Sequence, residues 1–310
     1  MHILAEGKGK RTIKMLVDQL RKSTKIEGAR EAWRTYRETI TQLIMEEMEI
    51  GDTLLILGAG ACNDIDLKQL LPYAKKFILV DRFKEAMEEA VAYYEIPPER
   101  VEILPINLWN IKEEEFEKQL EYQIRIPQLL SFLQEEAKRA LEEKLPDIQA
   151  DFVVNIGLYS QLNAVLASLF YLKREPYGLK EREMMQKMFS WLNQEAVKKI
   201  NQWIFQQCQR GLIGYEYAVF GTEEEERKRC QQLQMLFLQG QTEWLQEQNI
   251  SRVEGGWQAE SDLARRYRTG ELTLTRNAYP IWNFLEQKQY LMQIYCFRVY
   301  ERKDGGKKGV

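Results

Sequence analysis

The sequence predicts an α/β fold in which a mostly parallel sheet carries helices on both faces, with a helical segment ahead of it and an antiparallel last strand. Three observations lead there. Short continuous apolar runs alternate with stretches of helical spacing, the form taken by parallel strands buried on both sides and joined by crossover helices. A glycine-containing loop follows the first apolar run and leads towards a helix. Two late strand segments have no crossover helix between them, which argues for an antiparallel pair at one side of the sheet.

The elements follow in order. From Thr12 to Met48 apolar residues recur at helical spacing (Ile13, Leu16, Val17, Leu20, then Ala29, Trp33, Tyr36, Ile40, Leu43, Ile44, Met48), so two or three amphipathic helices precede the first strand. After the Gly51-Asp52 turn signal, Thr53 to Leu57 reads as a buried strand and Gly58 to Asn63 as a tight loop. Asp64 to Leu71 reads as a helix opening, and Phe77 to Val80 as a second strand that ends at Asp81. Strand, loop, helix and strand form one βαβ unit. Lys84 to Tyr94 is helical, Val101 to Ile106 a third strand, and the Glu-rich 112–145 a solvated helical insertion divided at Pro127. Asp151 to Asn155 is a fourth strand, Gln161 to Leu172 a helix, and Glu181 to Gln209 a long helix within a second insertion at 176–209. Gly211 to Phe220 is a fifth strand, followed by a helix from Glu223 to Gln248. An irregular strand region covers Leu272–Thr275 and Ile281–Phe284, and Tyr290 to Tyr300 is the last strand. In domain terms, 1–50 is expected as a helical lid, 51–301 as the main domain and 302–310 as a polar tail.

Composition excludes several classes. The 310 residues hold 44 Lys+Arg against 47 Asp+Glu, a net charge of −3, without the basic excess that phosphate binding normally demands, so no nucleic acid is indicated as partner. With 18 Gly and 8 Pro the chain is neither collagen-like nor disordered, and 45% hydrophobic residues suffice for a large core. The single histidine, His2, stands near the terminus, so histidine catalysis and histidine metal sites are not expected. Four dispersed cysteines form no C-x-x-C pair and suggest neither a disulfide framework nor a metal cluster. Met1 to Lys14 has no apolar core of signal-peptide length, and the longest apolar stretch, around Ala164–Leu172, is too short for a bilayer. A soluble cytoplasmic protein without a membrane partner is expected.

The glycine loop is the most informative site. A loop between the first strand and helix of an α/β sheet brings backbone N–H groups to a ligand at the strand ends. Asp81 stands 21 positions after Gly60, at the end of the second strand, where a carboxylate accepts hydrogen bonds from both hydroxyls of a ribose.

With these residues the sequence resembles the class I S-adenosylmethionine-dependent methyltransferases. Leu54 to Cys62 matches the glycine loop, Leu79-Val80-Asp81 the ribose acid, Ile106-Asn107-Leu108 the adenine-side turn and Asp151 to Asn155 the fourth strand. The resemblance implies a Rossmann-like, seven-stranded sheet whose last strand is inserted antiparallel. It implies S-adenosylmethionine as cofactor, with S-adenosylhomocysteine as product, bound by Gly58, Ala59, Gly60, Asp64, Asp81, Arg82, Asn107, Leu108 and Asn155. It places Asn155, Ile156 and Gly157 beside the reactive methyl, followed by Tyr159, Ser160 and Gln161. No metal is implied.

The sequence departs from the family pattern at Ile56, where an acid is frequent, at Cys62, which replaces the third glycine, and at Asn107, which replaces an acid. Methyl transfer from a sulfonium needs mainly alignment, because the cofactor already carries the activated group. A small or medium-sized acceptor is expected, methylated by in-line displacement. Where a base is needed, Tyr159, Asp64 or a carboxylate from the N-terminal helices is the candidate, with packing as the alternative role of Tyr159 and helix capping that of Asp64. Trp33, Tyr36, Trp191 and Trp203 are core by default and substrate-pocket walls as the alternative. Arg265-Arg266-Tyr267-Arg268 is by default a solvated basic face. Two competing readings are a degenerate, non-catalytic member of the same fold and a nicotinamide-dependent oxidoreductase, which uses the same loop and acid. The accepting atom and the oligomeric state are not legible in the sequence.

Overall fold

The computed structural model describes residues 28–241 and 250–299. The first part of the expected lid, the end of the helix expected to reach Gln248 and the polar tail lie outside the described residues.

The strands are β1 (Thr53–Leu57), β2 (Lys76–Asp81), β3 (Val101–Pro105), β4 (Phe152–Ile156), β5 (Arg210–Phe220), β6 (Leu272–Ala278), β7 (Ile281–Leu285) and β8 (Lys288–Val299). They form one sheet in the order β3-β2-β1-β4-β5-β8-β6, with β7 also paired to β8. The first five are parallel, and β8 is antiparallel to β5 and to β6. β1 shows why such strands are continuous apolar runs. Leu54 and Ile56 pack into the core on one face, Leu55 and Leu57 into the core on the other. The eighth strand has a simple cause. β6 pairs with Ile294–Val299 of β8 and β7 with Lys288–Leu291, so they are successive halves of one edge strand, interrupted at Tyr279-Pro280. Proline lacks the N–H that a continuous ladder needs.

The helices are α1 (Ala29–Ala32), α2 (Arg34–Glu47), α3 (Leu67–Leu70), α4 (Lys84–Tyr93), α5 (Glu113–Glu121), α6 (Ile126–Glu142), α7 (Ala164–Lys173), α8 (Leu179–Gln207), α9 (Glu224–Leu238) and α10 (Glu254–Arg268). Tyr36, Ile40, Leu43 and Ile44 form the apolar stripe of α2 and join the core of the face that holds Leu54 and Ile56. This helix packs as a layer on the sheet. The helix expected from Asp64 shrinks to the single turn α3, capped by Asp66, whose side chain accepts from Gln69 N–H. Asp64 is therefore not the cap.

The Glu-rich 112–145 is less solvated than its composition suggests. Phe116 and Leu120 of α5 and Leu129, Leu133, Ala137 and Ala140 of α6 pack with α7 and the first half of α8 into a separate apolar cluster. The second half of α8 presents Val197, Ile200, Trp203 and Ile204 to the sheet, so α8 is itself the crossover layer between β4 and β5. Helix α10 packs tightly on β5, where a Cβ added at Gly256 would lie 2.0 Å from the Glu216 carbonyl oxygen. In its last turn Arg266 is buried and paired with Asp262 at 2.8 Å and Glu271 at 2.9 Å. The basic cluster is in part a structural ion-pair network. Among the described residues no helix is long and apolar enough to cross a membrane.

Candidate active site

The carboxyl ends of β1, β2 and β4 meet where the strand order reverses, the usual position for a ligand crevice in open α/β sheets. After β1 the chain turns through Gly58 at φ 64°, Gly60 at φ 46° and Cys62 at φ 47°. Cys62 thus adopts the left-handed backbone that glycine favours, and its carbonyl is held by the Tyr94 hydroxyl at 3.0 Å. The Gly60 N–H donates to Asp81 Oδ2 at 3.0 Å, and the Phe83 N–H donates to Asp81 Oδ1 at 2.9 Å. Loop and acid are one unit. Burial raises the Asp81 carboxyl above its ordinary range, opposed by these two N–H bonds. A Cβ added at Gly60 would meet nothing nearer than Asp81 Oδ2 at 3.9 Å, so the loop is open on that side.

Beyond Asp81, Arg82 is held by Glu113 at 2.7 Å, at the first turn of α5, with its guanidinium over the Phe83 ring. Asn107 Oδ1 accepts from the Trp109 N–H at 3.2 Å, which shapes the turn after β3, and Leu108 is buried beneath it. An open crevice of about 510 Å³ lies here, lined by Arg82, Phe83, Asn107 and the start of α5.

On the other side of the loop, α1 and α2 are tied to it. Arg37 Nη1 donates to the carbonyls of Arg30 at 2.7 Å and Asn63 at 3.0 Å. Arg30 stacks on Tyr93 with its charge centre 3.6 Å from the ring centroid, and its Nε and Nη2 are buried without a hydrogen-bond partner. Burial pushes the Asp64 carboxyl up to about 6, with Arg37 opposing.

At the end of β4, Gly157 stands at φ 69°, and a Cβ there would lie 3.5 Å from Trp282 and 3.7 Å from Glu216 Oε1. Ser160 Oγ donates to that same oxygen at 2.7 Å. Burial pushes the Glu216 carboxyl up to about 7, with the Ser160 bond opposing. Tyr36 stacks on Trp282 at 5.0 Å, and Trp33 meets Trp282 edge-on at 4.8 Å. Of the aromatic side chains singled out in the sequence, Trp33 and Tyr36 reach this end of the sheet, whereas Trp203 packs behind it and Trp191 is partly exposed on α8.

Two sequence candidates lie elsewhere. Tyr159 is fully buried, and its hydroxyl donates to Asn201 Oδ1, whose amide donates to Asp262 at 2.9 Å. Burial and the Asp262 charge push its phenol far up, which favours the packing role over that of a base. Asn155 is fully buried and follows Val153 on the Tyr159 face, opposite the face that carries Glu216. Sequence reasoning missed Glu216. Its signal was present, a lone acid inside the apolar run of β5.

The mostly parallel sheet with an antiparallel β8 inserted between β5 and β6 agrees with the Rossmann-like architecture that the sequence resemblance implied. No protein-family model matches the chain, and no curated protein matches it in sequence. Among solved structures, the chain is similar to the N-methyltransferase NodS of Bradyrhizobium japonicum in complex with S-adenosyl-L-homocysteine, at 9% identity and TM-score 0.42, over 95% of this chain and 100% of that one. It is also similar to a putative RNA methyltransferase of Pyrococcus horikoshii at 12% identity and TM-score 0.42, over 94% and 100% of the two chains. A Leishmania major S-adenosylmethionine-dependent methyltransferase is similar at 11% identity and TM-score 0.42, over 92% and 82%.

Proposed function

We propose that this chain is an S-adenosylmethionine-dependent methyltransferase acting on a small or medium-sized acceptor. The observation that carries the reading is the Gly60–Asp81 unit, a left-handed glycine whose N–H holds the strand-end carboxylate while its other side stays open. The residues present fit the cofactor. Asp81 keeps lone pairs for two ribose hydroxyls beyond its two backbone donors. Asn107 lines the adenine side over the buried Leu108, with Arg82 braced by Glu113 at its rim. The buried, unpaired Nε and Nη2 of Arg30 form the fork that binds a carboxylate in bidentate fashion, which suits the methionine end. Gly58 and Ala59 complete the cradle, and burial pushes the Asp64 carboxyl after the loop up to about 6.

When bound, the cofactor supplies an activated methyl on sulfur, so the protein's task is alignment and exclusion of water. Trp33, Tyr36 and Trp282 supply the dry wall, and Glu216 is the group best placed to take a proton. A live site is checked by calorimetric titration with S-adenosylhomocysteine. Asp81→Ala should weaken binding by roughly 1.5–3 kcal/mol, the scale of hydrogen bonds to a charged group. NADH followed by fluorescence transfer serves as the counter-probe. Binding of NADH without S-adenosylhomocysteine would favour the oxidoreductase alternative, and binding of neither would favour the degenerate one.

A further inference from the structure

Glu216 is 2% exposed, and of its two carboxylate oxygens Oε1 accepts from Ser160 while Oε2 has no partner. A buried polar atom left unpaired is costly, so its persistence points to a group that arrives from outside. Two neighbours share the condition. The Tyr36 hydroxyl and the Trp282 indole N–H are buried and unpartnered, on side chains 3% and 4% exposed. The Tyr36 phenol is also held far up by burial and by the negative charges of Asp64 and Glu216.

The chain itself shows which chemistry this place accepts. The Lys288 ammonium sits 4.8 Å from the Tyr290 ring centroid and 5.8 Å from that of Phe284, within the field of Glu216. Aromatic faces beside a carboxylate that lacks a donor attract a cation by both quadrupole and charge. The charged groups that face this corner are Asp64 and Glu216 on the acidic side, and Arg37 and Lys288 on the basic side. Arg37 is committed to two carbonyls.

We propose that the methyl acceptor is an amine, bound as its ammonium form by Glu216 Oε2 against the Tyr36–Trp282 wall. The inference rests on the methyltransferase reading and specifies its acceptor. The Glu216 carboxylate takes one proton from the ammonium and leaves the nitrogen lone pair free. The N–CH3 bond then forms as the S–CH3 bond of the cofactor breaks, and sulfur keeps the bonding pair. The product ammonium and the protonated Glu216 carry the balance of charge, and the Glu216 proton passes to solvent on release.

The test uses the full chain saturated with S-adenosylhomocysteine and an isosteric pair of probes, benzylamine and benzyl alcohol. The readout is the indole N–H resonance of Trp282, assigned through Trp282→Phe. Benzylamine should shift it with at least tenfold higher affinity than benzyl alcohol. Glu216→Gln should abolish that preference while leaving S-adenosylhomocysteine affinity within about twofold, and Lys288→Met, which removes the internal cation, should tighten benzylamine binding several-fold. Equal binding of the two probes, no benzylamine binding to wild type or to Lys288→Met, or an unchanged preference in Glu216→Gln would overturn the amine assignment with the cofactor reading intact. Failure of wild type to bind S-adenosylhomocysteine would instead overturn the methyltransferase reading, and the acceptor role with it.

Discussion

Gly60 separates a turn from a ligand cradle. At φ 46° an alanine is strained by about 1–2 kcal/mol, but its Cβ has 3.9 Å of clearance, so Gly60→Ala should fold. That variant should nevertheless lose S-adenosylhomocysteine in calorimetry, because the open side is where the ligand lies. Full retention of binding would show that Gly60 serves only the turn. Glu216 offers a second test at this scale. Its folded pKa, about 7, lies above the ordinary 4.5, so the native state holds the proton that the unfolded chain releases first. Its contribution to stability is therefore full below pH 4.5 and lost as pH rises to about 7. Glu216→Gln carries no such penalty. Denaturant melts should show the variant gaining on wild type by up to about 3 kcal/mol between those pH values, and a constant difference would contradict the burial argument. The closeness of Asp81 to the glycine loop was readable from spacing alone, whereas the only sign of Glu216 was a lone acid inside an apolar run. A single acid between Tyr215 and Tyr217 has no sequence partner, and Ser160 and Trp282 reach it only through the fold.

At the scale of elements, strands β1, β2 and β4 were legible to within a residue or two because both faces of each are buried and their runs are uninterrupted, whereas β3, half-buried and broken by Glu102, was legible from the apolar residues around that acid. The helix after the glycine loop was not. The sequence reads the helix from Asp64, and the chain starts it after Asp66, since the Asp66 N–H is held by Thr41 of α2 at 2.9 Å while its side chain caps α3. Tertiary contact thus shortened a helix that local pattern alone would extend. Helix α2 is expected to be essential to the sheet. Ile40 is fully buried, so Ile40→Ala should lower unfolding stability by about 2–5 kcal/mol. A loss below 1 kcal/mol in a denaturant titration would mean that α2 rests on the sheet without filling its core. The break at Pro280 was foreshadowed as irregularity, and the pairing of both halves with β8 could be seen only once register was known.

Across the whole molecule, the α1–α2 layer shares one apolar core with Ala59 and Cys62 of the glycine loop, and α5 to α8 build a separate helical cluster. The resemblance in sequence conveyed the mostly parallel sheet with its last strand inserted antiparallel. Hydrophobic spacing in the Glu-rich region conveyed helices but not the cluster they build, because their partners in α7 and α8 are distant in sequence. In the proposed function the cofactor lies on the Gly58–Asp81 unit beneath α1 and α2. Hydrogen exchange of the full chain with and without S-adenosylhomocysteine tests it most directly, with α6 as internal control. The account expects slower exchange over Gly58–Asp64, Asp81–Phe83 and Ala29–Tyr36, and no change over Ile126–Glu142. Unchanged exchange in the glycine loop, or protection confined to α6, would contradict it.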